Sequence, residues 1–150
     1  MDATQKKLNT ALFLAYCALM LWLLFDRSGP VEGMEYWEQI RMSLNLKPLH
    51  TVMRYTRLLD SAKPHLVRLA VINLFGNVIM FVPLGYFLPL VFGKLRKLWR
   101  TLLATTLVIT LVETLQLFTL MGICDIDDLI LNVAGAAMGY GLYQLSCKLK

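Results

Sequence analysis

Four apolar runs, 11–25, 66–92, 101–121 and 128–147, constrain this chain more than any other feature. A helix needs about 20 apolar residues to cross a bilayer. The last three runs reach that length outright, and the first gains it from Leu8 and an uncharged flank. The expected fold is therefore an all-α polytopic membrane protein of one domain, residues 1–150. Its helices are predicted at about 8–26, 66–92, 101–121 and 128–147, with a long connection, 27–65, between the first and second. Composition agrees: 17% of residues are charged, against about 25% in soluble domains. Lys6 and Lys7 before the first run imitate a signal peptide, but "LLFDRSGP" at its exit offers no small-residue cleavage site, so the helix is expected to stay.

Charge then orients the predicted spans. Placing the N-terminus in the cytoplasm gathers Lys6, Lys7, Lys94, Arg96, Lys97, Arg100, Lys148 and Lys150 on that side, opposed only by Asp2. The short run "GKLRKLWR" lies beside two helix ends and should dominate. Both termini are expected in the cytoplasm, with the 27–65 connection outside. The sequence pI near 9.2 then reads as attraction to anionic lipid heads. It does not point to nucleic acid.

That topology brings scattered polar residues to one depth. Asn73 and Asn77 fall in the outer half of the second span, and Glu113 and Gln116, three apart, share a face in the outer half of the third. Asp125, Asp128 and Asn132 follow i, i+3, i+7 spacing at the start of the fourth. Glu113 is a charge deep within a span, where a carboxylate costs a few kcal/mol and faces the bundle interior or water. Intramembrane ionisable groups mark functional sites by default, whereas mere hydrogen-bonded glue between helices is the plainer alternative. One of Asp125 and Asp128 is expected to cap the last helix, and the other to turn inward with Asn132. Asp127 is expected to be a solvated loop residue.

Other features are architectural. Gly135 and Gly139 form a G-x-x-x-G that permits close helix packing. Pro83 and Gly85 predict a bend in the second span. Within the connection, "MEYWEQIRMSLNL" has Met34, Trp37, Ile40 and Leu44 at helical spacing and suits an interfacial helix, followed after Pro48 by the amphipathic "TVMRYTRLL". Arg54, Arg57 and Arg68 are placed to meet phosphate groups or ordinary lipid heads. Cys17, Cys124 and Cys147 have no metal spacing, and no disulfide is expected. There is no G-x-S-x-G, no phosphate loop and no cofactor motif.

Three blocks carry a resemblance: "LNLKPLHTV" at 44–52, "NLFGNVIMFVPLGYFLPLVF" at 73–92, and "VETLQLFT…DIDDLILNVAGAAMGYGL" within 112–142. Together they resemble the VanZ-like family of small bacterial membrane proteins. The family's Asn-Leu-Ile-Pro-Phe is met by Asn45, Leu46, Lys47, Pro48 and Leu49. Its Gly-Asn…Phe-x-Pro-x-Gly is met by Gly76, Asn77, Phe81, Pro83 and Gly85. Its Glu-x-x-Gln is Glu113 and Gln116, and its Asp-x-x-Asp…Asn-x-x-Gly is Asp125, Asp128, Asn132 and Gly135. Where many members carry an Arg after the Glu-x-x-Gln helix, this chain has Leu120 to Cys124.

The resemblance implies the cell envelope and a link to teicoplanin resistance, the property of the founding member. It supplies no reaction. In the favoured reading Asn73, Asn77, Glu113, Gln116, Asp125, Asp128 and Asn132 bind a lipid-type ligand, a lipid-linked wall precursor or a lipoglycopeptide tail in an outer cavity. In the alternative, Glu113 is a general acid or base with its pKa raised by burial. Asp125 and Asp128 would then hold a divalent cation or polarise a lipid headgroup. A structural modulator of a membrane partner comes third. No metal or cofactor is expected in the favoured reading.

Overall fold

The computed structural model describes residues 3–25 and 29–149; Asp2, Asp26, Arg27 and Lys150 lie outside the described residues. In chain order the elements are α1 (Ala3–Phe25), α2 (Tyr36–Met42), β1 (Leu44–Asn45), α3 (His50–Leu59), α4 (Pro64–Val91), α5 (Leu98–Thr119), β2 (Cys124–Asp125) and α6 (Ile126–Lys148), with a 3-10 turn at Gly93–Leu95.

Of the four expected spans, α1, α4 and α5 are long and apolar enough to cross a membrane. α6 equals α1 in length, at 23 residues, but Asp127, Asp128, Asn132 and Gln144 dilute its apolar content. Large apolar side chains such as Leu14, Trp22, Ile72, Ile79, Leu107 and Leu111 project outward from the three apolar helices. A soluble surface rarely gathers so many, and a bilayer would cover them.

The glycine motif explains how α4 and α6 meet. A Cβ added to Gly135 would overlap the Val78 carbonyl, one at Gly139 the Val82 carbonyl, and one at Gly85 the Ala136 carbonyl. Only glycine lets the two backbones approach this closely. α1 and α5 flank this pair, and Phe13, Met20, Phe81, Leu84, Leu88 and Ile109 form the core between them. α4 continues through Pro83 and Pro89. Pro83 has no N–H to bond the preceding turn, and one carbonyl of that turn, Met80, accepts the Tyr16 hydroxyl of α1 at 2.8 Å.

One end of the bundle joins the start of α1, the turn after α4 and the end of α6. Phe13 packs edge-on against Phe92 at 5.8 Å, and the Tyr140 hydroxyl donates to the Arg96 carbonyl at 2.8 Å. The opposite end carries α2, α3 and a short parallel pair, with Leu44 opposite Cys124 and Asn45 opposite Asp125. This corrects the single helix expected over 34–46. α2 stops at Met42, and the Ser43 carbonyl accepts the Cys124 amide at 2.9 Å. The strands are two residues each, too short to show alternation.

Candidate functional site

Asp125 organises the start of α6. One carboxylate oxygen accepts the Asp127 amide at 2.8 Å and caps the helix. The other accepts the Thr51 hydroxyl at 2.6 Å and the Asn45 side-chain amide at 2.9 Å. Asn45 also donates to the Thr51 hydroxyl at 2.9 Å, so the three side chains close a ring of hydrogen bonds. The capping share of the expected division of labour falls to Asp125.

Asp127 corrects the sequence reading outright. It is wholly buried, at 0% exposure, and its carboxylate accepts the amides of Leu49, Thr51 and Val52 at 2.5, 2.7 and 3.0 Å. Leu49, before α3, has the left-handed φ of 61° and provides no side-chain cap. A helix start leaves amides without partners, and an anion there also meets the positive end of the helix dipole. Asp127 of α6 supplies both needs for α3. Its carboxylate is buried because it is paired.

Asp128 takes the inward position. Its Oδ1 accepts the Asn77 side-chain amide at 2.5 Å, which ties α6 to α4 beside the glycine seam. Around it lies a cavity of about 410 Å³ whose lining includes Asn73, Asn77, Glu113, Gln116, Asp125, Asp128 and Asn132. All seven candidate residues therefore border one space. Glu113 is buried at 8% exposure and Asn132 at 3%. Among the described residues, Asn132 Oδ1 has no hydrogen-bond partner.

Two of the seven also have local tasks. Gln116 donates to the Leu24 carbonyl at 2.7 Å, fastening the last turn of α1 to α5. Asn73 donates back to the Leu69 carbonyl of its own helix at 2.8 Å. Leu24, Met42 and Ile123 give the cavity apolar wall, and His50, Thr51, Arg54 and Tyr55 bring α3 to its mouth. Of these α3 residues the sequence reading singled out Arg54, for phosphate or lipid-head contact, and not His50, Thr51 or Tyr55. Asn45 was visible only as part of a family block.

Cys124, in β2, is half-buried. Burial first, then the negative charges of Glu113 and Asp125, push its thiol above the ordinary cysteine range. Cys17, Cys124 and Cys147 are all free thiols. Among the described residues no cluster of three His, Cys, Asp or Glu side chains could hold a metal ion.

A family model described as VanZ/LLP1 matches residues 13–147. Protein VanZ of Enterococcus faecium is 28% identical over 144 residues, which cover 95% of this chain and 78% of that relative. No solved structure matches the chain.

Proposed function

The chain belongs to the VanZ/LLP1 family, and on that premise we propose that it is a cell-envelope membrane protein that binds an amphiphile in the cavity at the α3 end. The carrying observation is the cavity itself, in which polar groups from α4, α5 and α6 line one space of about 410 Å³ with apolar wall from Leu24, Met42 and Ile123. Polar groups that served only as glue would be packed against one another with no space between them. Buried polar groups around an open space match the pattern of a small-molecule pocket. The occupant is a lipid-type molecule, a lipid-linked wall precursor or the tail of a lipoglycopeptide such as teicoplanin. In this proposal α6 is a fourth span, supported by outward-facing Ile130, Met138, Leu142 and Leu145. Its cavity end faces outward and both chain ends lie in the cytoplasm, as the basic 94–100 run favours.

The test pairs binding with phenotype. Native mass spectrometry of the protein released from bacterial membranes should show a retained lipid-mass adduct, and Glu113→Gln at equal membrane abundance should weaken both the adduct and any teicoplanin tolerance conferred on a susceptible host. A protein that emerges without adduct and whose Glu113→Gln variant behaves like wild type would refute the reading.

A further inference from the structure

Asn132 lies deepest of the α6 residues that line the cavity. One turn further on, Gly135 lies against the Val78 carbonyl. The α4–α6 seam closes there, which makes Asn132 part of the cavity floor. The residue is 3% exposed, and its Oδ1 has no hydrogen-bond partner among the described residues.

The other side-chain amides at the cavity are directed to the protein itself. Asn73 donates to the Leu69 carbonyl, Gln116 to the Leu24 carbonyl, and Asn77 to Asp128. Asn45 donates to Thr51 and Asp125. A buried acceptor without a donor is costly, and native interiors rarely keep one. Asn132 faces a space of about 410 Å³, so its donor comes with whatever fills that space.

One stretch of the rim is apolar. Met42 and Ile123 line the cavity, yet they are 69% and 62% exposed. The Cys124 amide donates to the Ser43 carbonyl, which brings the residues just before them, Ile123 and Met42, to the same part of the rim. A hydrocarbon tail leaving there would stay on apolar surface. A polar floor below an apolar rim suits an amphiphile that enters head first.

We infer that the head of the ligand carries an N–H or O–H and donates it to Asn132 Oδ1. This deepens the amphiphile-binding reading and rests on it. Two sources share the chemistry: a lipid with an amine head, and a lipid with a sugar head.

The test is lipid retention by the purified chain, read by native mass spectrometry in two series. Phosphatidylethanolamine and its N-methyl, N,N-dimethyl and N,N,N-trimethyl forms keep the same charges, while the N–H donors vanish only at the last step. Glucosyldiacylglycerol and its per-O-methylated form make the same comparison for hydroxyl donors. In at least one series, loss of the last donor should weaken retention roughly tenfold, the scale of one well-placed polar contact. The series that shows the drop identifies the source. An even decline with each added N-methyl, with no drop in the sugar series, would mean that bulk is read instead of donation, and would overturn the inference. Asn132→Leu, similar in volume but without an acceptor, should erase the preference; a preference that survives it overturns the assignment to Asn132. Equal retention of all the lipids by wild-type protein, the result expected if water alone serves Asn132, overturns this inference and leaves amphiphile binding standing. Wild-type protein that retains none overturns both. Because both series are decided on wild-type protein, a variant that failed to fold would not blunt the test.

Discussion

Asp127 accepts the backbone amide of Thr51 at 2.7 Å across 76 positions of chain, so α6 provides the cap that α3 lacks. Asp127→Ala should remove that cap and lower stability by roughly 2–3 kcal/mol, the scale of hydrogen bonds to a buried charge. Amide hydrogen exchange should accelerate across 50–59, whereas Asp128→Ala should leave that stretch protected. Unchanged exchange in Asp127→Ala would show that α3 is held by something else.

Asp125→Asn should harm the fold more than capping alone suggests. Asn caps about as well as Asp, but its amide group would turn toward Asn45, itself a donor to Asp125 at 2.9 Å. A loss of about 1 kcal/mol is expected. Adding Asn45→Asp restores a donor facing an acceptor, so the double variant should recover most of the loss in thermal unfolding. Strictly additive losses would contradict the hydrogen-bonded ring.

Gly139→Ala should be far worse than Gly141→Ala. The first places a methyl against the Val82 carbonyl, while the second meets nothing within 4 Å. Overpacking of this kind costs about 1–3 kcal/mol, and unfolding in detergent would read it. Equal melting temperatures for the two variants would mean that the α4–α6 seam tolerates separation.

Cys124 reports the charge on Glu113. Burial is the larger cause of its raised thiol, and the carboxylates of Glu113 and Asp125 follow. With Cys17 and Cys147 replaced by Ser, Glu113→Gln removes one negative neighbour. The thiol should then ionise at lower pH, and the midpoint of its alkylation-rate profile should move down. A midpoint that stays put would mean that Glu113 is already neutral over that range.

Orientation has its own check. A cysteine at Glu38 should react with a membrane-impermeant thiol reagent in intact cells, and one at Lys97 should react only after lysis. The reverse pattern would turn the proposed outer cavity inward.

The convergence of the cavity residues was legible because antiparallel spans convert sequence position into depth. Asn73, Asn77, Glu113, Gln116, Asp128 and Asn132 needed only that conversion and a helical period. The glycine seam was equally plain in the 135–139 spacing. Asp127 was not, since its partners, Leu49, Thr51 and Val52, lie in a distant segment and a trans cap leaves no periodic trace. Nor did spacing reveal the pairing of Asn45 with Asp125. It depends on two-residue strands whose register only the folded backbone fixes. The fourth span was less plain, because Asp127, Asp128, Asn132 and Gln144 dilute the apolar content of α6.

The glycine seam also sets a timetable. α4 and α5 precede α6 in the chain, so Asn77 and Glu113 are synthesised before the residues that enclose them. In a membrane, a carboxyl group left facing hydrocarbon is costly until it finds an interior. That interior forms only when Gly135 and Gly139 settle against Val78 and Val82. A nascent chain lacking α6 therefore has no assembled pocket, and its exposed polar groups would mark it as unfinished to any membrane quality-control machinery.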